Sequence, residues 1–107
     1  MRIYISLPIT DKDENVQREK AKEAVRAIKA LGHEAKNPFD VMPPEWLVGK
    51  KAYAYYMGRD IEQLLNCDAV LLLDDWEKSK GCRLEQHAAM IYGLRVYDSV
   101  SQIEREN

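Results

Sequence analysis

Among the 107 residues of this chain, Glu85 has the setting that most needs a chemical reason. It stands four residues after Gly81, in the first turns of a helix that Gly81 is expected to open. Its i+3, i+4 and i+7 neighbours are Ala88, Ala89 and Tyr92, which marks the inward side. A carboxylate there has two readings. It can complement the positive end of the helix dipole, worth ~0.3–1 kcal/mol and open to any surface acid. Or it can be kept ionised by that end, as a nucleophile able to attack an anomeric carbon. Asp60 is the second carboxylate of interest, because it shares a helical stripe with Tyr53 and Tyr56 beside the apolar stripe Met57, Ile61, Leu64 and Leu65. That spacing puts it near a buried face, with a solvated helix acid as the alternative. Asp74, Asp75 and Trp76 follow an apolar run. The acids there can position a sugar hydroxyl or end a strand beside solvent, and the indole can wall a base pocket or pack between loop and helix. His33 follows Gly32 and reads as a turn residue. His87 lies two positions from Glu85, points elsewhere, and has no second ligand at metal-site spacing.

The elements that must position these groups alternate. Arg2-Ile3-Tyr4-Ile5-Ser6 reads as a strand that Pro8 terminates, because proline cannot donate to the ladder. Thr10, Asp11 and Asp13 offer N-cap oxygens to an amphipathic helix with Ala21, Ala24, Val25, Ile28 and Leu31 on one face, stopped by Gly32. A short edge strand over His33 to Lys36 precedes a loop containing Asn37 to Asp40 and the Pro43-Pro44 pair. A second helix is expected from about Glu45 to Asn66. Ala69 to Leu73 is a continuous apolar run, as expected for a central parallel strand covered on both faces. A third helix from Gly81 to Tyr92 ends at Gly93, and Leu94 to Tyr97 supplies a last strand.

This alternation predicts one three-layer flavodoxin/Rossmann-like α/β domain over residues 1–107, with a four- to five-stranded parallel sheet in the order 2-1-3-4. Ligands of such sheets bind beyond the carboxyl ends of the strands, at the switch point between the first and third. Ser6 to Thr10, including Pro8, and Asp74 to Gly81 are expected to meet there.

Composition narrows the ligand. With 16 Lys and Arg against 18 Asp and Glu, the formal charge is −2 and gives no footprint for a nucleic acid polymer or an anionic membrane. No apolar run approaches the ~20 residues of a membrane span. Cys67 and Cys82 have neither metal-site spacing nor disulfide density, which fits a reducing, cytoplasmic setting; Cys67 reads as a small buried hydrophobe and Cys82 as a helix-start residue. A small molecule is the expected partner, and no metal or organic cofactor is implied.

Several segments together resemble the nucleoside 2-deoxyribosyltransferase superfamily and the related deoxynucleoside 5′-monophosphate N-glycosidases. They are Arg2 to Thr10 with its strand tyrosine, Asp60-Ile61 through Asn66-Cys67-Asp68-Ala69-Val70, and Ser79-Lys80-Gly81-Cys82-Arg83-Leu84-Glu85 with the helix to Gly93. The loop Trp76-Glu77-Lys78-Ser79-Lys80-Gly81 looks closest to a branch of short bacterial and phage proteins of uncharacterised function. The resemblance implies Glu85 as nucleophile, Tyr4 beside it holding glutamate and sugar, and Asp60 as the group that meets or protonates the leaving base. Ser79, six before the nucleophile, matches the serine of the monophosphate glycosidases, whereas Pro8 and Thr10 stand where those enzymes carry phosphate-binding serine and arginine. Leu7 replaces a glycine common among relatives, which limits how closely the backbone approaches a ligand.

The function implied is cleavage or transfer of the N-glycosidic bond of a 2′-deoxynucleoside or its 5′-monophosphate through a glycosyl-Glu85 intermediate. A non-catalytic nucleotide-binding or sensing domain of the same fold is the alternative, and a flavodoxin-like interaction module a third. A homodimer or higher homo-oligomer is also expected, most simply a two-fold dimer built on the helix that contains Tyr53, Tyr55 and Tyr56. Rotated by ~100° per residue, these tyrosines cannot all face one core, and Trp46, Leu47 and Val48 enlarge the apolar surface.

Overall fold

The computed structural model describes residues 1–40 and 48–106. Its centre is a parallel sheet in the order β2-β1-β3-β4. The strands are β1 (Arg2–Ser6), β2 (Glu34–Lys36), β3 (Ala69–Leu72) and β4 (Arg95–Tyr97). Helices α1 (Glu14–Ala30), α2 (Gly49–Leu65) and α3 (Lys80–Ile91) cover both sides. The expected order is therefore realised with four strands.

The two-residue period of β1 divides the core. Ile3, Ile5 and Leu7 pack with Ala21, Ala24 and Ile28 of α1, and with Ala69 and Leu71. Tyr4 points to the opposite face and packs with Leu64 of α2, Ala89 of α3, and Val70 and Leu72. Tyr4 is in register with Val70, and Ser6 with Leu72, so these two residues of β1 share the α2 and α3 side. That is the side on which both candidate carboxylates arrive.

Of the three possible caps for α1, Asp13 serves: its Oδ1 accepts from Val16 N–H at 3.0 Å. Asp11 instead takes a left-handed backbone, φ 62°, in the loop leading to the helix. Gly32 is required twice, by its φ of 89° and because a Cβ there would lie 2.9 Å from Glu106 Cβ. The neighbouring His33 is more than a turn residue. It is buried, its Nδ1 lies 3.0 Å from the Met1 amino nitrogen, and its Nε2 lies 2.6 Å from Glu104 O.

Three expectations need correction or fall outside the structure. Leu65 is 40% exposed, because Leu64 takes the core position and the next residue turns away by ~100°. Tyr92 is 68% exposed, since α3 ends at Ile91 and the i+7 row is not continued. The Pro43-Pro44 pair, Trp46, Leu47 and the helix start at Glu45 lie outside the described residues.

Candidate active site

Beyond the carboxyl ends of β1 and β3 lies a cavity of about 530 Å³, within the usual size of a small-molecule site. One wall is the loop from Leu7 to Lys12. The facing wall is Asp75 and residues 78–81, while Tyr53, Tyr56, Met57 and Asp60 come from α2, and Cys82 and Glu85 from α3. It occupies the switch point between β1 and β3, where the topology places a ligand.

Glu85 lies in the second turn of α3. That helix starts where Ser79 caps it, Oγ accepting from Cys82 N–H at 3.2 Å. The carboxylate is only 4% exposed, and Ser6 Oγ donates to its Oε1 at 2.7 Å. Glu85 Oε2, Asp60 Oδ1 and Tyr4 Oη are also buried, and make no hydrogen bond among the described residues. Tyr4 Oη is close enough to both carboxylates for each to feel its hydroxyl, yet none of these approaches meets hydrogen-bond geometry.

Burial decides the electrostatics. It raises the Glu85 carboxyl to about 7, against the opposing help of Ser6 and then Tyr4, with the Asp60 charge adding to the rise. Burial likewise raises Asp60 to about 6, offset by Tyr4. The Tyr4 hydroxyl is driven upward, first by burial and then by both carboxylates, so it stays protonated. This corrects the expectation that the helix end keeps Glu85 ionised. The dipole fades within the first turn, and Glu85 sits one turn too far in and out of water. The arrangement sets two buried carboxyl groups beside one buried phenol at the cavity floor, with one or two protons to share among the acids. That is the requirement for a nucleophile paired with a proton donor.

Residues 1–98 match a family described as a domain of unknown function, DUF4406. The chain belongs to the DUF4406 family. Among curated proteins none matches. A solved 2-deoxyribosyltransferase from the psychrotolerant bacterium Bacillus psychrosaccharolyticus is similar in structure. Its TM-score is 0.68 over 90% of this chain and 69% of that chain, at 19% identity. That protein is described as a biocatalyst for the synthesis of antiviral and antitumoral nucleosides. The likeness places this DUF4406 chain in the same fold.

The remaining residues singled out from the sequence divide. Pro8, Asp75, Ser79 and Gly81 line the cavity with Asp60 and Glu85. Gly81 also permits a close approach between α2 and α3, since a Cβ there would come within 3.3 Å of Met57 Sδ. Ser6, expected to meet substrate, is 1% exposed and acts on Glu85 instead. Tyr4 lies beneath the pair and also forms part of a second, smaller cavity of about 260 Å³. Asp74 and Trp76 do not line the main cavity. Asp75 has φ 67°, and that left-handed turn leaves Asp74 exposed and packs the indole against the core of Tyr4, Leu64 and Val70.

The tyrosines of α2 also separate, Tyr53 and Tyr56 lining the main cavity and Tyr55 the smaller one. This gives the three side chains two cavities to face, where the sequence suggested a subunit contact. Residues not anticipated in the wall include Asp11, Lys12, Met57 and Cys82. Cys82 is 1% exposed and lies beside Ser6 and Ser79, with its thiol raised mainly by burial; its place three residues before Glu85 on the helix was the available signal. Among the described residues no three His, Cys, Asp or Glu side chains come together as a metal site, and no helix is long and apolar enough to cross a membrane.

Proposed function

We propose that this chain breaks or transfers the N-glycosidic bond of a 2′-deoxynucleoside or its 5′-monophosphate through a covalent glycosyl ester on Glu85. The observation that carries the reading is the buried Glu85 and Asp60 pair around Tyr4, with one Glu85 oxygen fixed by Ser6 and the other without a hydrogen-bond partner. The structural neighbour's activity on nucleosides and the order of the matching segments support it.

In the first step Glu85 Oε2 attacks C1′ as the C1′–N bond breaks. The bonding pair leaves with the base, which receives a proton from the Asp60 carboxyl. A neutral base leaves poorly as an anion, so this proton typically contributes ~10²–10⁴-fold. In the second step water attacks C1′, Asp60 takes its proton back, and the Glu85 carboxylate is released. A second base can take the place of water, and the product is then a new nucleoside. Tyr4 remains a neutral hydroxyl beside both acids. At 1% exposure and outside the cavity wall, it orients the Glu85 oxygen from beneath and does not reach the sugar, contrary to what the resemblance implies. Pro8, Ser79, Gly81 and Asp75 contact the rest of the ligand, and Ser79 inclines the reading towards hydrolysis. The reaction as written uses no metal or organic cofactor.

The test is release of free base from a panel of deoxynucleosides and their monophosphates, with and without an acceptor base. Base release or base exchange that disappears in Glu85→Gln supports the reading. Binding that raises the melting temperature with no turnover of any panel member overturns it in favour of a sensing domain.

A further inference from the structure

We propose that Gln17 is a positioning residue that sets the loop from Leu7 to Lys12 at the height the ligand requires; this rests on the reading of the cavity given above. The buried residues of α1 are Gln17, Ala21, Ala24 and Ile28, spaced by four, three and four, so Gln17 occupies a core position of an otherwise apolar stripe. A primary amide is expensive there unless it is hydrogen-bonded. Gln17 is 4% exposed, and its Nε2 donates to Pro8 O at 2.6 Å.

The accepting carbonyl matters because of where it lies. The last bond between β1 and its neighbouring strand segment runs from Leu73 N–H to Ser6 O at 2.9 Å. Beyond it the chain leaves the sheet and forms the cavity wall that faces Asp60 and Glu85. Pro8 is buried and has no N–H, so its carbonyl is its whole backbone bonding capacity. The loop then turns back on itself, Lys12 N–H donating to Ile9 O at 3.2 Å, with Asp11 at φ 62° in a conformation that non-glycine residues avoid. Such a turn persists only when its surroundings hold it. Gln17 supplies that hold from α1, whose Ala21, Ala24 and Ile28 pack on the other side of the sheet. Without the amide the Pro8 carbonyl must move to reach water, taking the cavity wall with it. The displaced wall weakens ligand binding more than it disturbs Glu85 and Asp60, which are carried by α3 and α2.

The experiment compares wild type with Gln17→Met and Gln17→Glu. Amide exchange is measured on the unliganded proteins at Lys12, in the loop, and at β1 and α1 as references. Base release from the best panel substrate is measured alongside. Gln17→Met keeps length and helix preference but cannot donate. Its Lys12 protection is expected to fall about tenfold with β1 unchanged, and its KM to rise about tenfold while kcat stays within about threefold. Gln17→Glu is expected to match wild-type protection near pH 4, where its carboxylic acid donates to Pro8 O, and to lose it near pH 8, where a carboxylate faces that carbonyl. A merely structural glutamine would not produce this reversal. Unchanged Lys12 protection in both variants overturns the proposal, as does a loosened loop with an unchanged KM. If Gln17→Met does not fold, the pH comparison within Gln17→Glu decides. If the wild type turns over no substrate, the proposed function falls, and exchange in the unliganded loop still decides whether Gln17 holds it.

Discussion

Replacing Glu85 by Gln should make the protein more stable, and increasingly so as pH rises, while removing its turnover. Burial lifts the Glu85 carboxyl from 4.5 to about 7. A folded-state value above the unfolded one means that the proton is held more tightly in the native protein. The stability it contributes is complete below pH 4.5 and is lost as pH rises through about 7. The cost of ionising Glu85 in place is about 1 kcal/mol at pH 5 and about 3 kcal/mol at pH 8, from the linkage between the two values. Gln has the same volume, carries no charge, and can still accept from Ser6 Oγ, while its amide nitrogen can donate towards Tyr4 Oη and Asp60. Urea unfolding of both proteins at pH 5 and pH 8 measures the difference. The variant should gain about 2 kcal/mol more at pH 8 than at pH 5, an added rise in melting temperature on the order of 10 °C for a domain of this size. An equal change at both pH values, or a loss at pH 8, would refute the claim that Glu85 is a strained buried acid.

Three other outcomes follow from the same geometry. The competent state needs Glu85 ionised and Asp60 protonated, whereas the single proton favours Glu85 by about tenfold given values of about 7 and 6. The pH profile of kcat/KM should therefore be a bell with limbs near pH 6 and 7, and a plateau extending above pH 8 would contradict it. Asp60→Asn should slow substrates with poor leaving bases by roughly 10²–10⁴-fold and activated ones little, with equal losses on both arguing that Asp60 is structural. Although the α2 tyrosines line cavities, Tyr53 stays 46% and Val48 74% exposed, and this apolar surface makes a homodimer or higher homo-oligomer the expected state in solution. Light scattering tests this, and a monomer mass persisting at high micromolar concentration would refute it.

What the sequence could reveal depended on the range of the interaction. Alternation in β1, the apolar run of β3 and the Gly32 and Gly93 stops are local signals, and they suffice for the sheet order and for bringing Pro8, Ser79 and Glu85 to one crevice. The bond between Ser6 and Glu85 joins residues 79 apart and has no local signature. The helix dipole can be read from position along α3 and favours an ionised Glu85, whereas the burial that raises its carboxyl depends on β1, α2 and α3 together and has no local signature. Asp74 and Trp76 were misplaced for a smaller reason: one left-handed residue, Asp75, reverses which side chains of that loop face the cavity.

The central claim is that Glu85 becomes bonded to the sugar. The most direct measurement is mass spectrometry of the acid-quenched protein after incubation with a 2′-deoxynucleoside or its 5′-monophosphate, followed by peptide mapping. A deoxyribosyl or 5′-phosphodeoxyribosyl mass on the peptide containing Glu85, absent from Glu85→Gln, is the predicted result. Base release that continues in Glu85→Gln with no adduct on that peptide would contradict it.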